Sequence, residues 1–188
     1  MSTLCNTLAS KPYNLPTVVL SIDDLYLTHD QQQTLARRHP HNPLVQHRGQ
    51  PSTHDVQLGT KLFESLRRRD NQIKIPSYDK SAYHGQGDRR EQSEWTVVNE
   101  DPSKRPVEVV IFEGWCVGFR PRSDDQLEQK WREAKSQADN GQKEYSGRLG
   151  KLKLEDVKFV NEALKQYNDL TESVLISCLM PSSTTTRS

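Results

Sequence analysis

Long apolar runs are missing from this sequence, and so is any large excess of charge. No stretch approaches the length that crosses a bilayer, so a membrane-spanning helix is not expected. With 26 Lys and Arg against 25 Asp and Glu, the formal charge is +1, too small to hold a polyanion by bulk electrostatics. Cysteine is scarce. Cys5, Cys116 and Cys178 are odd in number and far apart, which leaves neither a disulfide framework nor metal-ligand spacing and fits a reducing compartment. The first residues, MSTLCNTLASKPYN, lack the basic start and apolar core of a secretory signal. Apolar residues make up only 32% of the 188, and mean hydropathy is -0.87. Much exposed loop is therefore expected. These absences imply a soluble, cytoplasmic chain with one domain and no nucleic-acid or membrane partner.

What is present centres on TVVLSIDDLYLT, Thr17 to Thr28. Val18, Val19, Leu20 and Ile22 form a short β-branched run, which predicts a strand buried on both faces. Asp23 and Asp24 follow at once, with Tyr26 just beyond. In open α/β sheets ligands bind outside the carboxyl ends of the strands, so acids placed there face a site. A second run of the same design, VEVVIFEGW, ends in Glu113 and Gly114.

Between and beyond these strands the chain divides by composition. Residues 1–16 read as an irregular lead-in, and residues 17–180 as the body of an α/β domain. A short helix is expected over Asp30 to Arg38. In HRGQPSTHD, Ser52, Thr53 and Asp55 are helix-capping types, and Leu58, Leu62, Phe63 and Leu66 then mark one face of a helix. Arg67, Arg68 and Arg69 close it as a solvated end more readily than as an anion site. Ile73 to Ile75 predicts a very short strand and Trp95 to Val98 an edge strand. Ser77 to Arg90 reads as a long loop without structure of its own, a kind that is commonly functional or disordered. Residues 120–150 read as a charged helical insertion, with Leu127, Trp131 and Ala134 on one helix face. Leu154, Val157, Val160, Leu164 and Tyr167 mark a further helix. Ser173 to Met180 is a candidate third core strand, and residues 181–188 a disordered tail.

Paired carboxylates at strand ends suit phosphoryl transfer, which needs an acid at the acceptor hydroxyl, a magnesium ion and cations for the transferring charge. Asp23 or Asp24 could serve the hydroxyl, and Glu113 could hold the metal through water. Arg48, Lys80, Arg89 and Arg90 could clamp anionic groups. Capping explains each acid equally well when it is taken alone. The histidines, His54 among them, are dispersed over loops and read as surface residues.

SIDDLYLT, HRGQPSTHD, IPSYDKSAYHGQGDR and VVIFEGWCVGF, in that order, resemble consecutive motifs of the D-glycerate 3-kinase family. That family includes fungal ATP-binding kinase-like proteins, and it stands with the phosphoribulokinase, uridine kinase and pantothenate kinase group. LEDVKFVNEALKQYNDLTE extends the likeness, so that it covers Thr17 to Thr171. The resemblance implies a P-loop NTPase-like parallel sheet flanked by helices, with ATP and Mg2+ as cofactors and a small hydroxy acid such as glycerate as substrate. It implies Asp23 and Asp24 at the acceptor hydroxyl. Tyr26, Arg48, His54, Asp55, Tyr78, Asp79, Lys80 and Arg89 would lie around the substrate. Glu113 and Gly114 would lie on the nucleotide side, with Glu113 and Asp23 near the metal. The family pattern also has a strand and a GxxxxGK[ST] loop before SIDD, and a basic lid after LTE. Neither pattern occurs here. A sheet without the P-loop strand and lid is therefore expected, from a truncated chain inactive alone or kept as a non-catalytic binding module.

Overall fold

A computed structural model describes residues 2–139, 147–168, 170 and 171. The chain opens with helix α1 (Ser2–Ala9), strand β1 (Thr17–Ser21) and helices α2 (His29–Arg38) and α3 (Val56–Arg68). Four short strands follow: β2 (Ile73–Ile75), β3 (Tyr78–Asp79), β4 (Asp88–Arg89) and β5 (Thr96–Val98). Strand β6 (Val109–Glu113) and helices α4 (Asp124–Asp139) and α5 (Leu154–Ala163) complete the order.

The two apolar runs pair with each other. β1 and β6 lie parallel, Thr17 opposite Val109 and Ser21 opposite Glu113, so both acidic strand ends fall on one edge. A parallel pair needs a long crossover. Residues 22–108 supply it and carry α3, whose Leu62, Phe63 and Leu66 pack with Leu20 and Ile73 in the main core. The Phe63 ring meets the Phe112 ring edge-on, with centroids 5.0 Å apart. This is the expected α/β arrangement of a parallel sheet flanked by helices.

Several expectations need correction. β1 is half-buried except for Leu20, because its one strand partner among the described residues is β6. Residues 2–9 are helical rather than irregular. Cys5 and Leu8, a turn apart, are half-buried, and the Leu15 amide bonds back to the Leu8 carbonyl at 2.8 Å. The stretch 77–90 is not structureless, since Tyr78 pairs with Arg89 and Asp79 with Asp88 in an antiparallel ladder. The short strand at Ile73 pairs with β5, Ile73 opposite Val98.

The helices start where their caps are. Thr28 and Gln31 form a capping box on α2, and the Asp55 carboxylate accepts from the Leu58 amide at the head of α3. α4 buries Leu127 and Ala134 as expected, and the Trp131 indole donates to the Leu152 carbonyl at 2.8 Å. α5 is followed by helical residues 165–168, with Leu164 and Tyr167 buried as expected. Asp156 and Asn161 are buried there too, polar positions that the apolar spacing does not register. The candidate strand at 173–180, the tail and part of the 140–150 connector lie outside the described residues. Among the described residues no helix is long and apolar enough to cross a membrane.

Candidate active site

At the end of β1 the backbone tightens into a 3-10 turn, Ile22–Leu25, capped by the Ser21 hydroxyl on the Asp23 amide. Ile22 and Leu25 are buried and anchor the turn. The two acids between them meet different partners. Asp24 accepts the Tyr78 amide at 3.0 Å. Burial raises its carboxyl above the usual range despite that bond, and the charges of Asp23 and Glu113 push the same way. Asp23 accepts from the Lys80 ammonium at 2.7 Å and from the Tyr26 hydroxyl. Burial alone would raise Asp23 as well, but the Lys80 bond and charge outweigh it and hold the carboxyl below its usual range. Adjacent carboxyls pushed in opposite directions are a signature of acid and base roles.

Asp23, Tyr26, Arg48 and Lys80 line a cavity of about 540 Å³, together with His47, His84, Gly85 and Gln86. Its outer wall is the 80–87 loop. Arg48 holds that loop, donating to the Gly85 carbonyl at 2.7 Å and to the Gln86 carbonyl, and its guanidinium lies 5.7 Å from the Tyr78 ring centroid. His29 holds it from the other side, stacked on Tyr83 at 3.8 Å and bonded to Gln86 at 3.1 Å.

Behind Tyr26 lies a buried polar network. The His54 ring stacks on Tyr26 at 4.4 Å, and its Nδ1 sits 2.7 Å from the Tyr167 hydroxyl. That hydroxyl accepts from the Ser52 amide at 3.1 Å. With no other acceptor for it among the described residues, its proton goes to His54 Nδ1, which leaves the imidazole hydrogen on Nε2. Nε2 is buried and has no hydrogen-bond partner among the described residues. Burial lowers the His54 pKa from 6.5 to about 4, although the nearby Asp23 charge opposes this. Cys116 is buried beside the network, and burial pushes its thiol up to about 11, so it is no ready nucleophile.

The His54 shift has a stability consequence with a defined sign. Between pH 6.5 and about 4 the unfolded chain binds a proton that the folded chain refuses. Stability is therefore complete above pH 6.5 and falls as pH drops toward 4, by about 3 kcal/mol. The His54→Gln variant should lose that part of the acid dependence. Urea unfolding of both proteins at pH 7 and pH 4.5 measures it, and equal slopes would contradict a neutral buried imidazole.

The other sequence candidates fall outside the cavity lining. Asp55 and Arg89 pair with each other at 3.1 Å, and Arg89 also donates to the Tyr26 carbonyl at 2.7 Å, which braces the floor. Tyr78 packs edge-on against Tyr26. Asp79 faces Arg90 and Ser81 in the loop. Glu113 ends β6 opposite Ser21, near enough to Asp24 for their charges to interact. Gly114 follows, pressed against Ile22. His54 is buried, contrary to the surface reading, because the stacked Tyr26 and the Tyr167 bond enclose it. Sequence reasoning missed His47, His84, Gln86 and Tyr167. Tyr167 carried a signal only as a core position on a helix face.

Among the described residues, no group of three or more His, Cys, Asp or Glu could by itself hold a metal ion. Magnesium in phosphoryl transfer needs only one or two carboxylates, the remainder being water and phosphate oxygens. Asp24 and Glu113 offer hard oxygen donors of that kind.

No family model matches the chain. It is 47% identical over 109 residues to an uncharacterized kinase, mug58, of Schizosaccharomyces pombe, covering 57% of this chain and 38% of that protein. It is 38% identical over 112 residues to the chloroplastic D-glycerate 3-kinase of Arabidopsis thaliana, covering 58% of this chain and 24% of that one. The fold superposes on the D-glycerate 3-kinase of Cryptococcus neoformans with a TM-score of 0.78 and 35% identity, over 92% of this chain and 56% of that structure. The chain thus spans well under half the length of these two curated relatives.

Proposed function

We propose, starting from the likeness to D-glycerate 3-kinases, that this chain carries the acceptor side of an ATP-dependent small-molecule kinase and binds a small hydroxy acid such as glycerate. The observation that carries the reading is Asp23. It stands at the carboxyl end of a parallel strand, paired with Lys80 and facing a cavity rimmed by cations.

In this reading the acceptor hydroxyl lies against Asp23, which is ionised at neutral pH and takes the hydroxyl proton as the new O–P bond forms and ADP leaves. Lys80 and Arg48 face the substrate carboxylate. Tyr26 fixes the Asp23 carboxylate through its hydroxyl, and the Asp55–Arg89 pair fixes the Tyr26 backbone. Glu113 would hold magnesium through water, and a bound magnesium would neutralise charge on the transferring phosphoryl group. The 188 residues contain no GxxxxGK[ST] segment. That pattern supplies the backbone donors and lysine that grip nucleotide phosphates. The chain assayed by itself is therefore expected to bind acceptor yet turn over ATP little or not at all. The same observation favours a second reading, a binding module that keeps the acceptor pocket without catalysis. The scattered cysteines Cys5, Cys116 and Cys178, with neither disulfide nor metal-ligand spacing in the sequence, support a reducing compartment such as the cytoplasm.

Calorimetric titration of the chain with D-glycerate, uridine and pantothenate tests the acceptor class. D-glycerate should bind with one site per chain, and the other two should not. Equal binding of uridine would remove the hydroxy-acid reading. ATP turnover in the same sample would remove the binding-module reading.

A further inference from the structure

A second cavity, larger than the acceptor pocket, opens between α4, α5 and the segment around Leu44. Its volume is about 1000 Å³, at the upper end of small-molecule sites. The floor is apolar and includes Leu127, Leu152, Val160 and Leu164. The rim carries Arg120, Arg122, Arg148 and Lys151, and among the described residues no Asp or Glu lines the cavity. In a chain with nearly equal numbers of cations and acids, Arg122, Arg148 and Lys151, with no acid beside them among the described lining residues, give this site a clear sign of charge. Arg120 donates to the Asn168 side chain at 2.8 Å. Among the described residues no carboxylate forms an ion pair with Arg122, Arg148 or Lys151.

The walls are held from within. The buried Asn161 side chain accepts from the Arg122 amide and donates to the Arg122 carbonyl, both at 2.9 Å. The Trp131 indole holds the Leu152 carbonyl. These bonds occupy both polar ends of Asn161, so the floor offers a ligand little beyond apolar contact. The loop at 47–50 separates the two cavities, with Arg48 lining the acceptor pocket and Gln50 this one.

We propose that this groove binds an amphipathic small-molecule anion, its apolar body seated on the leucine and valine floor and its phosphate or carboxylate head held by the cationic rim. Each half of the site selects one half of such a ligand. A neutral hydrocarbon offers nothing to Arg122, Arg148 and Lys151, and a small polar anion leaves the floor wet. The proposal stands independently of the kinase reading, because none of these residues touches Asp23 or Lys80.

The test is calorimetry with decyl phosphate, kept below its micelle concentration, and with decanol as the neutral match. Decyl phosphate should bind one per chain, and decanol roughly tenfold weaker or worse. The double variant Arg122→Glu/Arg148→Glu, exposed positions that leave the core intact, should lower decyl phosphate affinity roughly tenfold or more. Lys80→Ala, in the other cavity, should leave it unchanged. Equal binding of decanol, full affinity in the double variant, loss of binding in Lys80→Ala, or no saturable binding would each overturn the proposal.

Discussion

Gly114→Ala is expected to destabilise the chain by about 3 kcal/mol or more. Gly114 has φ +146°, a conformation that L side chains rarely adopt, and a Cβ there would lie 2.2 Å from Ile22 Cγ2. Ile22 is only 1% exposed and cannot move aside. It is also the first residue of the turn that carries Asp23 and Asp24, so relief of the clash would shift both acids. Gly118→Ala is the control. Its φ of +83° is also unfavourable, but no atom lies within 4 Å of the added Cβ. It should cost about 1 kcal/mol. Denaturant unfolding of both variants measures the difference. A Gly114→Ala protein within 1 kcal/mol of the parent would mean that the ends of β1 and β6 do not meet as described.

Lys80→Ala should weaken D-glycerate binding roughly tenfold or more, by removing a cation that faces the proposed substrate carboxylate. Its second effect is on Asp23. Burial raises that carboxyl and Lys80 lowers it, with Lys80 prevailing. Without the ammonium both Lys80 contributions are lost while burial and the Tyr26 bond stay, so Asp23 should titrate at higher pH than in the parent, which carboxyl carbon NMR reads directly. The sign also fixes the stability effect. A carboxyl held low in the folded state stabilises the fold above its unfolded pKa, and that contribution is lost as pH falls through the folded value. The Lys80 side chain is 60% exposed, so the pair itself contributes little, at most about 1 kcal/mol. Large loss of affinity with small loss of stability is the expected pattern. The reverse pattern would make Lys80 a structural residue.

The strands, the main helices and the acids at the strand ends were legible because they depend on local patterns. Val18 to Ile22 and Val109 to Phe112 are apolar runs that end in carboxylates, and the spacing of Leu62, Phe63 and Leu66 is that of a helix face whatever it packs against. What could not be read depends on contacts distant in sequence. His54 sits in a polar stretch, and its burial comes from the stacked Tyr26 and from Tyr167, 113 positions away. The 77–90 stretch has little apolar content, so its two-residue ladder and its attachment to Arg48 and His29 leave no periodic trace. The early helix was hidden by its short length and by the prolines that follow it. The helix before Thr171 shows its apolar face but not that Asn161 would be spent clamping Arg122. Tyr26, Arg48 and Lys80 were named from their residue types and their places beside strand ends and loops, and the fold brings them around Asp23.

The most direct test of the acceptor-site account is an amide NMR titration of the chain with D-glycerate. The account predicts saturable shifts confined to the turn at Asp23 to Tyr26, to Arg48 and to the 80–87 loop, and their loss in Lys80→Ala. No saturable shift, or shifts centred on the groove at Arg122 and Leu152, would contradict it.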